Sequence, residues 1–377
     1  MATHTPIERC LRAMSYTYGD FDGLSDEECK SWIPPPVPGT GDPSSRRLWT
    51  DSFGVLNLIS LFLESNQGRY LILAERLART VHEVLGRTRD GAHRLPGATE
   101  GRPLLGGLRS GRTPEKDDGQ VYRELVMWMF ALDRLGRAAG DARWEVLAVE
   151  LGEAIHPRFT VHKLSGGMRL VGRVSCDMED VLDVEGEEGD AEMGWAVFRI
   201  VREGTKRMVL GREVDELERV IGSEQQQQQQ RMQKRRGGEG MSIWVGSLWK
   251  GSEIGRQGVE RVGGVFEGLF EGVRQTLDEA ASGVGLERRV EKEVGGCLGV
   301  RCWVGEGKME RRVEREMVEV TERVVRLWEE RLEMGEVRGV GRGVVGVVVA
   351  GAVLPRAFRR DGLMVKKEAS GTSCIDG

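Results

Sequence analysis

A shift of 74 residues lays one helical hairpin of this chain over the next. Residues 49–65 and 69–85 each carry apolar side chains at helical spacing, and the short turn Asn66-Gln67-Gly68 joins them. Residues 119–138 and 143–155 repeat the arrangement around Ala139-Gly140-Asp141-Ala142, and His156-Pro157-Arg158-Phe159 closes the unit. In the second helices the shift superposes Tyr70 on Trp144, Leu73 on Leu147, Ala74 on Ala148, Leu77 on Leu151, Val81 on Ile155 and His82 on His156. In the first helices Leu58 meets Leu132 and Leu61 meets Leu135. Connections this short force neighbouring helices to run antiparallel. Repeated hairpins of this kind bury their faces against one another, in an open solenoid or a closed ring.

The rest of the chain also reads as helix. Ten of its 11 prolines lie at or before Pro157, so nothing interrupts helices from Arg158 to Leu354. Thr5-Pro6-Ile7-Glu8 and Ser25 with Glu28 are helix-start signatures. Helical spacing recurs at Met193, Val197, Ile200 and Val201, at Val214, Leu217 and Ile221, and from Val259 to Leu277. Val313, Met317, Val320, Val324 and Leu327 form one face of a helix whose other face is Glu and Arg, as expected of an outer helix. The apolar run 343–355 is too short to span a bilayer and reads as a buried helix. The 53 glycines fall largely inside helical patterns, where they mark either close helix packing or weak local specification. The expected division is N-terminal helices at 1–33, a Pro-rich linker at 34–47, a hairpin core at 48–223, a Gln-rich and basic insertion at 224–240, further ring helices at 241–360 and a tail at 361–377.

Composition narrows the function classes. With 39% hydrophobic and 31% charged residues the chain fits a soluble globular protein, and a net charge of -5 argues against nucleic acid or an anionic membrane as partner. Its six cysteines form no C-x-x-C pair and read as reduced thiols. No basic-then-apolar leader is visible, so a cytoplasmic location is expected. No GxSxG, HExxH or phosphate-loop motif occurs, and Gly339–Gly346 resembles a phosphate loop only loosely. No metal or cofactor is expected.

Two places stand out as chemistry. "RLWTDSFGVLNLIS", starting at Arg47, puts Trp49, Thr50 and Asp51 at the mouth of an otherwise apolar helix. The long polar loop between the hairpins holds Gly106-Gly107-Leu108-Arg109, then Arg112, then Asp117-Asp118-Gly119-Gln120 and Tyr122. Polar loops of this kind, carried on rigid helices, are where functional groups gather. A plainer reading stands beside each: Asp at a helix start caps free N–H groups. Asp177 reads as a solvated loop acid, and His82 and His156 as partners of the last carbonyls of their helices. Trp128 and Phe130 read as core.

"LWTDSFGVLNLISLF", "GRTRDG", "GGLRSG", "DDGQVY…MWMFALDRL" and "AIHPRF", in that order over about residues 48–200, resemble proteins of the six-hairpin glycosidase-like superfamily. The resemblance implies an all-α fold, an α/α toroid of repeated antiparallel hairpins, with a C-terminal half that is incomplete or irregular. Relatives read Trp-Thr-Asp, Gly-Gly-Leu-Arg and Asp-Gly-Gln-Tyr where this chain has Trp49-Thr50-Asp51, Gly106-Gly107-Leu108-Arg109 and Asp118-Gly119-Gln120, with Val121 set before Tyr122.

On that fold, Asp51 and Asp118 would open the first helices of successive hairpins and converge at one end of the ring. Glycoside hydrolysis needs such a pair, one carboxyl as acid and one as nucleophile or base. Trp49 would stack on a sugar, and Arg109, Gln120 and Tyr122 would hold hydroxyls or a carboxylate. The expected function is therefore a glycoside hydrolase-like protein cleaving a small soluble saccharide. Two other readings remain open: a non-catalytic helical module binding a sugar or peptide, and a degenerate product with an intact N-terminal half.

Overall fold

The computed structural model describes residues 4–37, 45–111, 119–162, 167–187, 189–205, 209–230, 239–248, 286–304, 311–337 and 340–363. The first hairpin is α3 (Leu48–Ser65) with α4 (Gly68–Leu85), and the second is α5 (Tyr122–Ala139) with α6 (Ala142–Phe159). The offset of 74 carries α3 onto α5 and α4 onto α6, end to end. The turns match as well: Asn66 and Gly140 are left-handed caps at φ 54° and φ 66° in equivalent places. Two sequence boundaries shift. The second hairpin begins with a short strand, β1 (Gln120–Val121), before its helix. The helix α6 continues through Pro157 to Phe159, carrying the proline in its last turn.

Burial sorts the helices into two layers. Every residue of α3 from Leu48 to Leu61 is buried, and so is every residue of α5 from Tyr122 to Gly136. A helix covered on all sides belongs inside. In α4 only Tyr70, Leu73, Ala74, Leu77, Ala78, Val81 and Leu85 are buried, the single stripe of an outer helix. After these come α7 (Asp190–Thr205), α8 (Gly211–Gln230), α9 (Glu239–Leu248), α10 (Leu286–Trp303), α11 (Arg311–Glu333) and α12 (Val340–Val353). The inner helices touch in sequence: α3 to α5, α5 to α7, α7 to α9, α9 to α10, α10 to α12, and α12 back to α3. The chain is thus an α/α toroid whose C-terminal helices complete the ring. The helical pattern from Val259 to Leu277 lies outside the described residues.

The ring closes through its N-terminus. The helix α1 (Pro6–Tyr18), started by the expected Thr5–Glu8 capping box, packs on α12 as its outer partner, and the short α2 (Asp26–Ser31), with its Ser25–Glu28 capping box, packs on α4. Gly346 permits the approach, since a Cβ there would lie 2.6 Å from the Ala13 carbonyl oxygen. The Thr17 hydroxyl donates to the Gly343 carbonyl at 2.9 Å. Gly346 therefore serves close packing. Outside, Arg9 bonds Glu322 and Glu329 of α11 at 2.7 and 2.8 Å, and Arg301 of α10 also binds Glu322.

One end of the ring is plugged. A 3₁₀ turn, Arg356–Phe358, follows α12 and lies against the C-terminal half of α3, where the Ala357 N–H donates to Ser60 Oγ at 3.0 Å. The Phe358 ring meets Phe53 of α3 at 5.4 Å, and its carbonyl accepts from the Trp244 indole of α9 at 3.0 Å. Trp244 in turn meets Phe130 of α5 at 5.1 Å. Side chains of three inner helices and the final turn thus meet along the ring axis. At the opposite end, where α3, α5 and α7 begin, lie the long loop 86–111 and the small sheets. These are β1–β4–β5, with β4 at Arg173–Val174 and β5 at Val181–Asp183, and β2–β3, at Thr160–His162 and Met168–Leu170. Antiparallel register pairs Gln120 with Val174 and Thr160 with Leu170.

Candidate functional site

The end where the inner helices begin holds five of the six residues singled out from the sequence, all of them buried. Asp118, like Arg112, lies outside the described residues. The five have different surroundings.

Asp51 does not cap α3. The helix begins at Leu48, its N-cap residue is Arg47, and no side chain caps it. Asp51 sits inside the first turn and is fully buried. Arg46 grips it as a fork, Nε donating to Oδ2 at 2.9 Å and Nη2 donating to Oδ1. The Tyr18 hydroxyl, from the end of α1, donates to Oδ1 at 2.9 Å. The remaining Arg46 arm donates to the Pro35 carbonyl at 2.6 Å, so the Pro-rich segment is tied to the ring. Burial, and then the Asp51 charge, push the Tyr18 hydroxyl well above its ordinary range. Expected at the rim of a cleft, Asp51 instead has both oxygens engaged in a closed cluster. The physical reason is Arg46, a cation five residues upstream and just before the helix, that is itself only 3% exposed and must be neutralised there.

Gln120 is a fully buried clamp. Its Oε1 accepts from the Leu108 N–H at 3.0 Å, and its amide donates to the Gly106 and Cys176 carbonyls at 2.8 Å each. The Gly-Gly signal at 106–107 is explained by this contact: Gly107 has φ +67°, and a Cβ there would lie 1.9 Å from Gln120 Oε1. Arg109 holds the end of α4, donating to the Arg87 and Val84 carbonyls at 2.6 and 2.8 Å. These two side chains, expected to touch a ligand, face the loop backbone and shape the rim from behind. Tyr122 is buried against Phe159 at 5.4 Å, and its hydroxyl fits over Gly194 of α7. Burial, with Asp190 nearby, raises its pKa.

Trp49 lies one turn before Phe53 on the same face of α3. Its ring lies 5.3 Å from that of Phe53 and is tilted by 53°, and Phe53 touches the Phe358 plug, so three tilted rings run in series from the plug with Trp49 last. It is 6% exposed, and its indole N–H has no acceptor among the described residues. The repeat places Arg123 of α5 over Trp49. Arg123 bonds the buried Asp190 at 2.9 Å and the half-exposed Glu187 at 2.5 Å. Burial pushes the Asp190 carboxyl up, against the pull of Arg123. Arg46, Arg123 and Asp190 were missed in the sequence. The offset of 74 was a usable signal for Arg123 but not for Asp190, which a long connection separates from the repeat.

The histidines do not bond the last carbonyls of their helices. The His82 Nε2 accepts from the Trp128 indole at 3.0 Å, and desolvation, helped by Arg79, pulls its pKa down to about 3. His156 pairs with Glu216 of α8 at 2.8 Å. Asp177 is exposed, and the Ser175 hydroxyl holds it below the usual carboxylate range. Among the described residues no three ligand-type side chains converge on a metal position, and no helix is long and apolar enough to cross a membrane.

No protein-family model and no curated protein matches the chain. Solved structures do. A cellobiose 2-epimerase from Spirochaeta thermophila superposes with a TM-score of 0.52 at 13% identity, over 92% of this chain and 96% of that one. A sugar epimerase from a ruminal bacterium gives 0.48 at 12% identity, over 85% and 84% of the two chains. A D-mannose isomerase gives 0.48 at 10% identity, over 87% and 88%. At these identities the likeness is one of fold: this chain is an α/α toroid similar along nearly its whole length to that of the cellobiose 2-epimerase.

Proposed function

We propose that the protein binds a small saccharide at the open end of the ring and acts on it as a carbohydrate-processing enzyme. The observation that carries this reading is Trp49. It is the last ring of the Phe358–Phe53–Trp49 series, 6% exposed, with an indole N–H left without an acceptor among the described residues. An aromatic ring offers an apolar face to the C–H side of a sugar, and its N–H suits a hydroxyl. The fold shared with a cellobiose 2-epimerase supports the same reading. Arg109 and Gln120 position the rim, and Asp51 anchors the helix that carries Trp49.

Two reactions follow. Hydrolysis by paired carboxyls would use Asp118 with Asp51, and requires the Arg46–Asp51 fork to open. Epimerisation of a reducing sugar is favoured by the likeness to the epimerase structure, and requires proton transfer at the carbon beside the carbonyl.

The test combines binding and product analysis. Cellobiose should raise the melting temperature of the native protein. Trp49→Ala should abolish that rise and Trp49→Phe should retain part of it. Proton NMR of cellobiose, mannose and aryl-glycosides incubated with the protein separates released monosaccharide from a new epimer. Hydrolysis that survives in Asp118→Asn would remove the carboxyl pair. A panel of saccharides that neither shifts the melt nor yields product would sink the whole reading.

A further inference from the structure

We infer that β5, at the open end of the ring, is a docking strand for a basic, extended polypeptide segment. Seven large apolar residues are well exposed among the described residues, and three of them fall within four successive positions: Val181 at 41%, Leu182 at 51% and Val184 at 43%. All three residues of β5 are exposed, so the strand stands clear of the toroid on both faces. It is the edge of the sheet β1–β4–β5, and its outer side pairs with nothing among the described residues. A free edge offers a row of main-chain donors and acceptors to an added strand, and alternate side chains choose the partner.

Charge decides which partner. Asp177, Glu179, Asp180, Asp183, Glu185 and Glu187 are all exposed around this strand; the sequence has no Lys or Arg between Val174 and Phe198, and Arg173, in register with Asp183, lies on the inner neighbour β4. Among the described residues, Asp177, Glu179, Asp180 and Asp183 have no cationic partner. Asp177 bonds Ser175 and the Glu179 N–H, and Asp183 bonds the Glu185 N–H. A second copy would bring this acidic edge against its own like charges, which disfavours pairing. A segment alternating Lys or Arg with apolar residues satisfies the main chain, the three apolar side chains and the carboxylates together. Leu182 also lies beside Gly119 at the start of the second hairpin, so an occupant would sit next to the ring mouth.

The probe is a fluorescein-labelled ten-residue peptide of alternating Lys and Val, titrated with the full chain and read by fluorescence anisotropy. We expect saturable binding that weakens as salt rises. We expect a loss of about tenfold or more in the charge-reversed Asp183→Lys, Glu185→Lys protein. A similar loss is expected for Leu182→Ser with Val184→Ser, and for a peptide N-methylated at alternate residues, which cannot pair along one edge. The altered side chains are exposed, so these variants should melt like the parent. Equal affinity for the charge-reversed protein, or for the N-methylated peptide, would overturn strand addition. So would equal binding of a Glu–Val peptide. Self-association of the chain that Leu182→Ser abolishes would make a second copy the occupant and overturn the inference as well.

Discussion

Asp51→Asn removes the counter-charge of a guanidinium that is almost wholly buried. Breaking one side of a buried pair costs about 3–5 kcal/mol, so urea denaturation of this variant should show a loss of that size. The double variant Arg46→Met, Asp51→Leu removes both charges and should recover much of it. Loss of activity in Asp51→Asn alone therefore does not identify a catalytic acid. The His82 imidazole makes a second prediction. Its folded pKa is about 3 against an ordinary value of 6.5, so the unfolded chain takes up a proton that the native state refuses. Stability should fall as pH drops from about 6.5 towards 3, by up to about 1.4 kcal/mol per unit from this group, and His82→Gln should flatten that slope. Asp51 and His82 were both visible as unusual residues in the sequence. Their roles were not, because Arg46, Tyr18 and Trp128 reach them from other elements.

At the scale of elements, periodicity was sufficient to locate the hairpins, since a two-residue turn leaves no alternative to antiparallel packing. Inner and outer helices were told apart only by burial: every residue of α3 from Leu48 to Leu61, polar ones included, against a single stripe in α4. The glycines of α12 were ambiguous, because nothing local distinguishes a glycine that weakens a helix from one that admits a neighbour. Gly346 is of the second kind. A valine there meets the Ala13 backbone and should destabilise by about 1–3 kcal/mol, with faster amide exchange in α1 before the rest of the ring.

For the whole molecule, closure depends on the first helix and the last meeting. Arg9 of α1 and Arg301 of α10 both engage Glu322 of α11. Burial opposes ionisation of Glu322, but Arg301 and Arg9 outweigh it and hold its pKa below the usual range. A carboxylate of this kind stabilises the fold above its unfolded pKa, and the contribution disappears as pH falls through the folded value. Glu322→Gln should therefore lose about 1 kcal/mol near neutral pH, and the difference from the parent should vanish in acid. Thermal melts at the two pH values check this.

The sequence by itself determined the helices, their hairpin pairing and the repeat, because turn length, capping residues and the 3.6-residue period are local properties of the chain. It also marked the open end of the ring, where polar loops interrupt apolar helices. Only the tertiary structure decided what those polar residues do. Arg46 neutralises Asp51, Gln120 clamps a glycine turn, and the Trp49 indole N–H is left without an acceptor among the described residues. Arg46 and Asp51 are only five residues apart, yet which way a side chain turns and whether its site is buried are set by packing, so spacing along the sequence carries no record of the pairing.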